Sequence, residues 1–285
     1  MSGQLVSERR LVRGGLARRA LAEALGTGLL VTVVVGSGAM AQRLSPDAVG
    51  LELLENSTAT AFGLAVLILA LAPVSGAHFN PVITLVDHVL GRRERTGLGS
   101  REAGVYVAAQ LVGGIGGALL ADTMFNLPVV RLSTHLRSGG PVWLGEVVAT
   151  AGLVLLVFAL ARTGRSSYAP AAVGAYIGAA YWFTSSTSFA NPAVTVARAL
   201  TDSFSGIAAS SVPGFVLAQL LGAGIGALLV LALFPASALA RIPAPTPIPS
   251  PSPSPDPAPS PSPTLAVSAV PGQPAASLTV ARSSS

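Results

Sequence analysis

The chain has 285 residues, 51% of them hydrophobic and only 10% charged, and its net charge of +5 comes from arginine alone, since no lysine occurs. So few charges do not suit a soluble domain of this length, and the apolar residues fall in blocks of about twenty, long enough to cross roughly 30 Å of hydrocarbon as helices. The absence of cysteine excludes disulfides, thiol nucleophiles and Cys-ligated zinc, and with no basic patch interleaved with aromatics the arginine excess reads as membrane topology, not nucleic-acid binding.

Residues 1–20 are polar and basic and read as a cytoplasmic N-terminal segment. The apolar block at 21–41 is too long for a cleaved signal and lacks a cleavage site, so it reads as a retained first span. A loop with Arg43, Asp47, Glu52 and Glu55 leads to a second span over 56–74. The next apolar stretch, 78–90, has only about thirteen residues; at 1.5 Å per residue it reaches about halfway across, as a re-entrant half-helix would. A basic loop over 91–101 precedes the third span, 102–121. After a loop over 122–141 the pattern returns, with spans over 142–161 and 171–187, a second short stretch over 191–204, and a sixth span over 212–240. Residues 241–285 are rich in Pro and Ser and are expected to stay extended and disordered, because they cannot bury enough apolar surface to order.

The two halves, 21–121 and 142–240, are related residue by residue. Gln110-Leu-Val-Gly-Gly-Ile-Gly-Gly-Ala-Leu-Leu120 matches Gln219-Leu-Leu-Gly-Ala-Gly-Ile-Gly-Ala-Leu-Leu229, and Glu23 heads the first span as Glu146 heads the fourth. Gly63 and Gly174 each precede an Asn-Pro pair by seventeen residues. Three spans per half is an odd number, so the halves are inverted relative to one another, an arrangement that puts a functional site at mid-membrane where broken helices meet. With the N-terminus inside, thirteen arginines fall on the cytoplasmic side and only Arg43, Arg131, Arg137 and Arg198 outside. That bias predicts six spans in the inner membrane with both ends cytoplasmic.

Each short stretch opens on Asn-Pro. Asn is a preferred N-cap because its side-chain oxygen accepts from a free backbone N–H, and Pro suits the first helical position, where an N–H would have no partner. Asn80-Pro81 and Asn191-Pro192 are therefore expected to start two half-helices whose partial positive ends converge at the bilayer centre, with both Asn amides turned to the lumen. A neutral solute would find two donors there, whereas a cation would meet a positive potential without acceptors.

Ser75-Gly-Ala-His-Phe-Asn-Pro-Val-Ile-Thr84, Asn191-Pro192-Ala193, Glu23, Glu146 and the paired Gln-Leu-x-Gly segments resemble the aquaporin, or major intrinsic protein, family over residues 21–240. The resemblance implies an all-α membrane protein of six transmembrane helices plus two re-entrant half-helices in an inverted repeat, forming a homotetramer with one pore per subunit. It implies a central constriction made by Asn80, Pro81, Val82, Asn191, Pro192 and Ala193. The first box departs from the family in ending on Val82. A larger departure follows the second box, where most members carry Arg and this chain has Val194. Arg-free versions of this segment resemble a bacterial aquaglyceroporin-like subgroup linked to arsenic handling.

The outer filter of the family combines one residue from span two, one from span five, one before the second box and the usual Arg; the last two map to Ser188 and Val194. Counting from the boxes gives Thr60 and Ala179 for the first two, whereas matching the glycines gives Phe62 and Tyr181. Arg198, four residues past Val194, shares its helix face and stands either in the outer vestibule or at the interface, paired with Asp202. Glu23 and Glu146 are expected to accept backbone N–H groups of the re-entrant loops, with proton relay as the competing role. His78 reads as a loop-orienting hydrogen bonder or a pH gate. Gly113, Gly117, Gly222 and Gly226 have the small-xxx-small spacing of helix contacts.

These readings predict a passive channel in the lipid bilayer for small neutral solutes: water, glycerol and other polyols, urea and arsenous acid. An ion-coupled transporter is the alternative, but it would need more buried charge than the spans contain. A scaffold acting through its Pro-Ser tail is a third reading. No nucleophile–base set, cofactor loop or metal-ligand set appears, so neither an enzyme nor a cofactor or metal site is expected.

Overall fold

The computed structural model describes residues 15–94 and 96–235. In chain order these form eight α-helices and no strand: α1 (Leu16–Leu44), α2 (Val49–Ser75), α3 (Pro81–Glu94), α4 (Ser100–Met124), α5 (Gly140–Arg162), α6 (Ala169–Phe183), α7 (Pro192–Arg198) and α8 (Val212–Leu233). Single 3₁₀ turns at Ser166–Tyr168 and Ala209–Ser211 lead into α6 and α8. Five helices, α1, α2, α4, α5 and α8, the last counted with its 3₁₀ turn, are long and apolar enough to cross a membrane. The sixth, α6, has fifteen residues, about 22 Å of helix. It packs along α2, its counterpart in the other repeat.

The inversion is visible in the packing. Helix α1 packs on α4 as α5 packs on α8, and each half-helix also reaches across the repeat, α3 against α8 and α7 against α4. Glycine sets the closeness of the first two pairs. A Cβ added to Gly113 or Gly117 would lie 2.1 Å from the Ala24 carbonyl oxygen or 2.0 Å from that of Gly28, and one on Gly222 or Gly226 would lie 2.5 Å from that of Val147 or 2.7 Å from that of Ala151. Only hydrogen fits at these crossings, which is how helices pack closely in lipid.

Tertiary contacts move several boundaries. Helix α1 starts at Leu16, within the segment expected to precede the first span, because Arg19 folds inward: its guanidinium bonds Glu102 and stands 5.8 Å from the Tyr106 ring centroid. Helix α2 starts at Val49 and takes up Glu52 and Glu55, which read as loop residues in the sequence. Glu55 accepts the Ser45 hydroxyl at 2.7 Å, and Asn56 Nδ2 donates to the Val34 carbonyl at 2.9 Å. The largest difference is α7, which stops at Arg198 after seven residues, not near 204. The carbonyls that would continue it are taken by other partners: Arg198 O accepts from Ile207 N, Ala199 O from Ser133 N and Leu200 O from Arg131 N. The Pro/Ser-rich tail at 241–285 and the first fourteen residues lie outside the described residues.

Candidate functional site

Two loops lead into the half-helices, and both adopt backbone that L-residues rarely take. Ala77 and Phe79 have φ of 52° and 48°, and their counterparts before the second box, Ser188 and Ala190, have 50° and 48°. Such residues cost on the order of 1–3 kcal/mol each and persist only where the surroundings hold them. A buried carboxylate holds each loop. Glu23 Oε1 accepts His78 N at 3.0 Å and the Ser75 hydroxyl at 2.6 Å, and Oε2 accepts Phe79 N at 2.7 Å. Glu146 accepts Phe189 N and Ala190 N, both at 2.8 Å. Each carboxylate is fixed in turn by a glutamine, Gln110 Nε2 at 2.7 Å from Glu23 and Gln219 Nε2 at 2.6 Å from Glu146. The same nitrogens reach the hydroxyls of Thr84 (2.9 Å) and Thr195 (2.8 Å), four residues past each Asn. All four Glu and Gln side chains are fully buried.

With the loops held, the two Asn side chains cap their helices and lock the halves together. Asn80 Oδ1 accepts Val82 N at 3.0 Å, and Asn191 Oδ1 accepts Ala193 N at 3.0 Å and Val194 N at 3.3 Å. Asn80 Nδ2 donates to the Ala190 carbonyl at 2.8 Å while Asn191 Nδ2 donates to the Phe79 carbonyl at 2.7 Å. Each amide thus gives one hydrogen to the opposite loop and keeps one; the expectation that both amides serve only the lumen is corrected to that extent.

A cavity of about 600 Å³ runs past this junction, and both Asn side chains stand on its wall. Pro81, Val82, Pro192 and Ala193 do not; they are buried behind it, so of the six box residues two line the passage. On the α7 side the wall includes Thr60, Tyr181, Ser188, Val194 and Arg198. Thr60 Oγ1 and the Tyr181 hydroxyl are 3.2 Å apart. Neither counting rule gave that pair. Phe62 is 71% exposed on the outer face of α2 and Ala179 is exposed on α6, each two residues and hence about 200° round the helix from its lining neighbour. Arg198 is 2% exposed, donates Nε to the Ser205 carbonyl, and lays its guanidinium 3.4 Å from the Phe189 ring centroid. It does not pair with Asp202, which faces Arg131 at 3.0 Å and His135 at 3.8 Å. On the other side of the junction His78 lines the cavity, its Nδ1 3.1 Å from the Thr84 hydroxyl and its ring edge-on to Tyr106. Among the described residues no cluster of His, Asp and Glu could hold a metal ion.

The family model for major intrinsic proteins matches residues 10–190. Aquaglyceroporin AqpS of Rhizobium meliloti (strain 1021) is 52% identical over 208 residues, 73% of this chain and 86% of that protein. The chain belongs to the major intrinsic protein family. A probable TIP-type aquaporin of Medicago truncatula is 34% identical over 167 residues, 56% of this chain and 64% of that protein, and human aquaporin-2 is 34% identical over 167 residues, 54% and 56%. The aquaglyceroporin structure from Plasmodium falciparum matches with a TM-score of 0.54 over 76% of this chain and 96% of that one; at 19% identity this likeness speaks for the fold.

Several residues of this major intrinsic protein's site carried no functional reading in the sequence. Gln110 and Gln219 stood out only as repeat markers, although their shared offset was the signal for a shared partner. Thr84 and Thr195, each four residues past an Asn, were equally findable. Arg137 was not, because it lies in the irregular segment before α5 and reaches the site only by folding: Nε donates to Gly206 O at 2.9 Å and Nη2 to Phe204 O at 3.2 Å. Burial pulls its pKa below the usual guanidinium value. In the segment after α7, Asp202 accepts Thr134 N at 2.8 Å, and that bond, ahead of the Arg131 charge, holds its carboxyl below the ordinary range.

Proposed function

We propose that the cavity is the conduction path of a passive channel for small neutral solutes, among them water, glycerol and similar polyols, urea and arsenous acid. The observation that carries this reading is the reciprocal lock of Asn80 and Asn191 at the meeting of two half-helix N-termini, on the wall of a cavity. Each Asn keeps one amide hydrogen for a passing acceptor, and the converging helix ends disfavour a cation at the same point. The protein is a membrane channel and not an enzyme. Glu23 and Glu146 support the loops; their oxygens accept backbone and glutamine N–H groups, which leaves little reason to assign them an ion-coupling role.

The outer filter in this reading is made by Thr60, Tyr181, Ser188 and Val194, with Arg198 one turn farther along α7 as a displaced cation in the vestibule. Val194 removes the bulk and donors of the arginine usual in the family, which widens the passage for solutes larger than water. The chain sits in the inner membrane as a homotetramer with both termini cytoplasmic, a placement that the arginine distribution supports.

Reconstituted vesicles test the proposal. Glycerol and urea should enter at a rate independent of proton and sodium gradients, and Val194→Arg should slow them at least about tenfold while water still passes, because a bulky donor returns to the constriction. Vesicles that pass water but none of the larger solutes would overturn the solute class. Equal glycerol flux in Val194→Arg and the parent would overturn the filter assignment.

A further inference from the structure

Two guanidinium groups stand over one ring. Arg198 Cζ lies 3.4 Å from the Phe189 centroid and Arg137 Cζ 5.4 Å from it. The cations are therefore within about 9 Å of each other, close enough to repel appreciably where water is scarce. Neither is in contact with a carboxylate among the described residues. Among the described residues Arg198 bonds the Ser205 carbonyl, and the Arg137 guanidinium bonds the carbonyls of Gly206 and Phe204. The acids in this part of the protein are committed elsewhere: Glu146 to Phe189 N, Ala190 N and Gln219, and Asp202 to Thr134, Arg131 and His135.

Charge buried on neutral partners alone is poorly compensated. Arg198 nevertheless forms part of the cavity wall at 2% exposure, and beyond Nε it makes no hydrogen bond among the described residues. On the same wall Ser188, 3% exposed, has a buried hydroxyl without a partner among the described residues. A guanidinium edge with free N–H groups and an unused hydroxyl call for an oxygen-bearing ligand. The second positive charge of Arg137 and the lack of a contacting acid favour a ligand that is negatively charged.

We propose that the α7 end of the cavity is a binding site for a small singly charged anion, a carboxylate or oxyanion, held by the Nη groups of Arg198 and the Ser188 hydroxyl with Arg137 as the second charge. A planar guanidinium fork matches two oxygens of such an ion. The ion's effect on transport rests on the reading of this cavity as the solute path: an occupied site narrows the mouth, so the anion competes with neutral solutes entering from that end.

The test measures binding and flux separately. Sodium formate is titrated against sodium gluconate at constant ionic strength while thermal unfolding of the full chain is followed in detergent. Formate should raise the midpoint saturably, on the order of several degrees well above its Kd. Arg137→Gln and Arg198→Gln should each lose most of that rise, and Arg137→Lys should keep part of it. If Arg198→Gln does not fold, the two Arg137 variants decide. Formate should also slow glycerol entry when added on the α7 side of oriented vesicles. No saturable rise in the parent, or an undiminished rise in Arg137→Gln, overturns the anion site even where glycerol passes freely. Formate binding in a protein that passes no glycerol would leave the anion site standing and overturn the solute class proposed for the cavity.

Discussion

The two Asn-Pro boxes are the same device built twice and then put to different uses. Both have a buried Glu under the loop, a Gln that fixes it, a Thr four residues past the Asn, and strained residues one and three positions before it. What differs lies outward from that shared centre. His78 occupies the place of Phe189, and α3 runs fourteen residues where α7 runs seven. The first box therefore opens on an imidazole bonded to Thr84, and the second on an aromatic ring beneath two guanidiniums. The hydrogen bonds that hold the two loops are shared, and the larger differences lie on the flanks.

The equivalence of the centres can be broken first and most severely. Glu23→Gln and Glu146→Gln each replace a two-oxygen acceptor by one oxygen and an amide that faces loop N–H groups. Each should destabilise the protein by on the order of 3 kcal/mol, and thermal unfolding in detergent should show similar losses. A variant as stable as the parent would mean that its carboxylate does not hold its loop. Phe189→Leu comes next: it removes the ring beneath Arg198 and Arg137, a loss of about 2 kcal/mol in a desolvated setting, and should alter glycerol flux as well as stability. His78→Phe gives the first box the second one's flank. It should cost only about 1 kcal/mol, the Thr84 bond, and a larger drop would assign His78 more than loop support.

The smallest effect belongs to the segment that follows α7. Asp202 has its carboxyl held below the usual range, by Thr134 N first. Its stabilising contribution is therefore complete above the ordinary carboxylate pKa of about 4 and is lost as pH falls through the lowered value. Protection of the Arg131 and Ser133 amides, which bond Leu200 and Ala199, measured against the free-peptide exchange rate at the same pH, should fall in Asp202→Asn at neutral pH, and in the parent only on acidification below that range. Unchanged exchange in Asp202→Asn would show that the backbone pairing holds the segment alone.

Much of the centre was legible in the chain. Asn80-Pro81 and Asn191-Pro192 are helix starts by local chemistry, Glu23 and Glu146 stand out as carboxylates in apolar spans, and the glycines of α4 and α8 carry the contact spacing. All of these depend on neighbours a few residues away or on a repeat that the sequence itself displays. The flanks were less legible. Thr60 and Tyr181 face each other through the azimuth of two helices, and counting along one chain leaves that angle open by half a turn.

By itself the sequence determined a six-span inverted repeat with two capped half-helices, because span length, capping and periodicity are local properties of residue order. The tertiary structure alone decided where α7 ends, since the amides of Arg131, Ser133 and Ile207 take its next carbonyls. It also decided that Arg137, from the irregular segment between α4 and α5, joins Arg198 over Phe189. A loop's backbone carries no period from which its destination could be read.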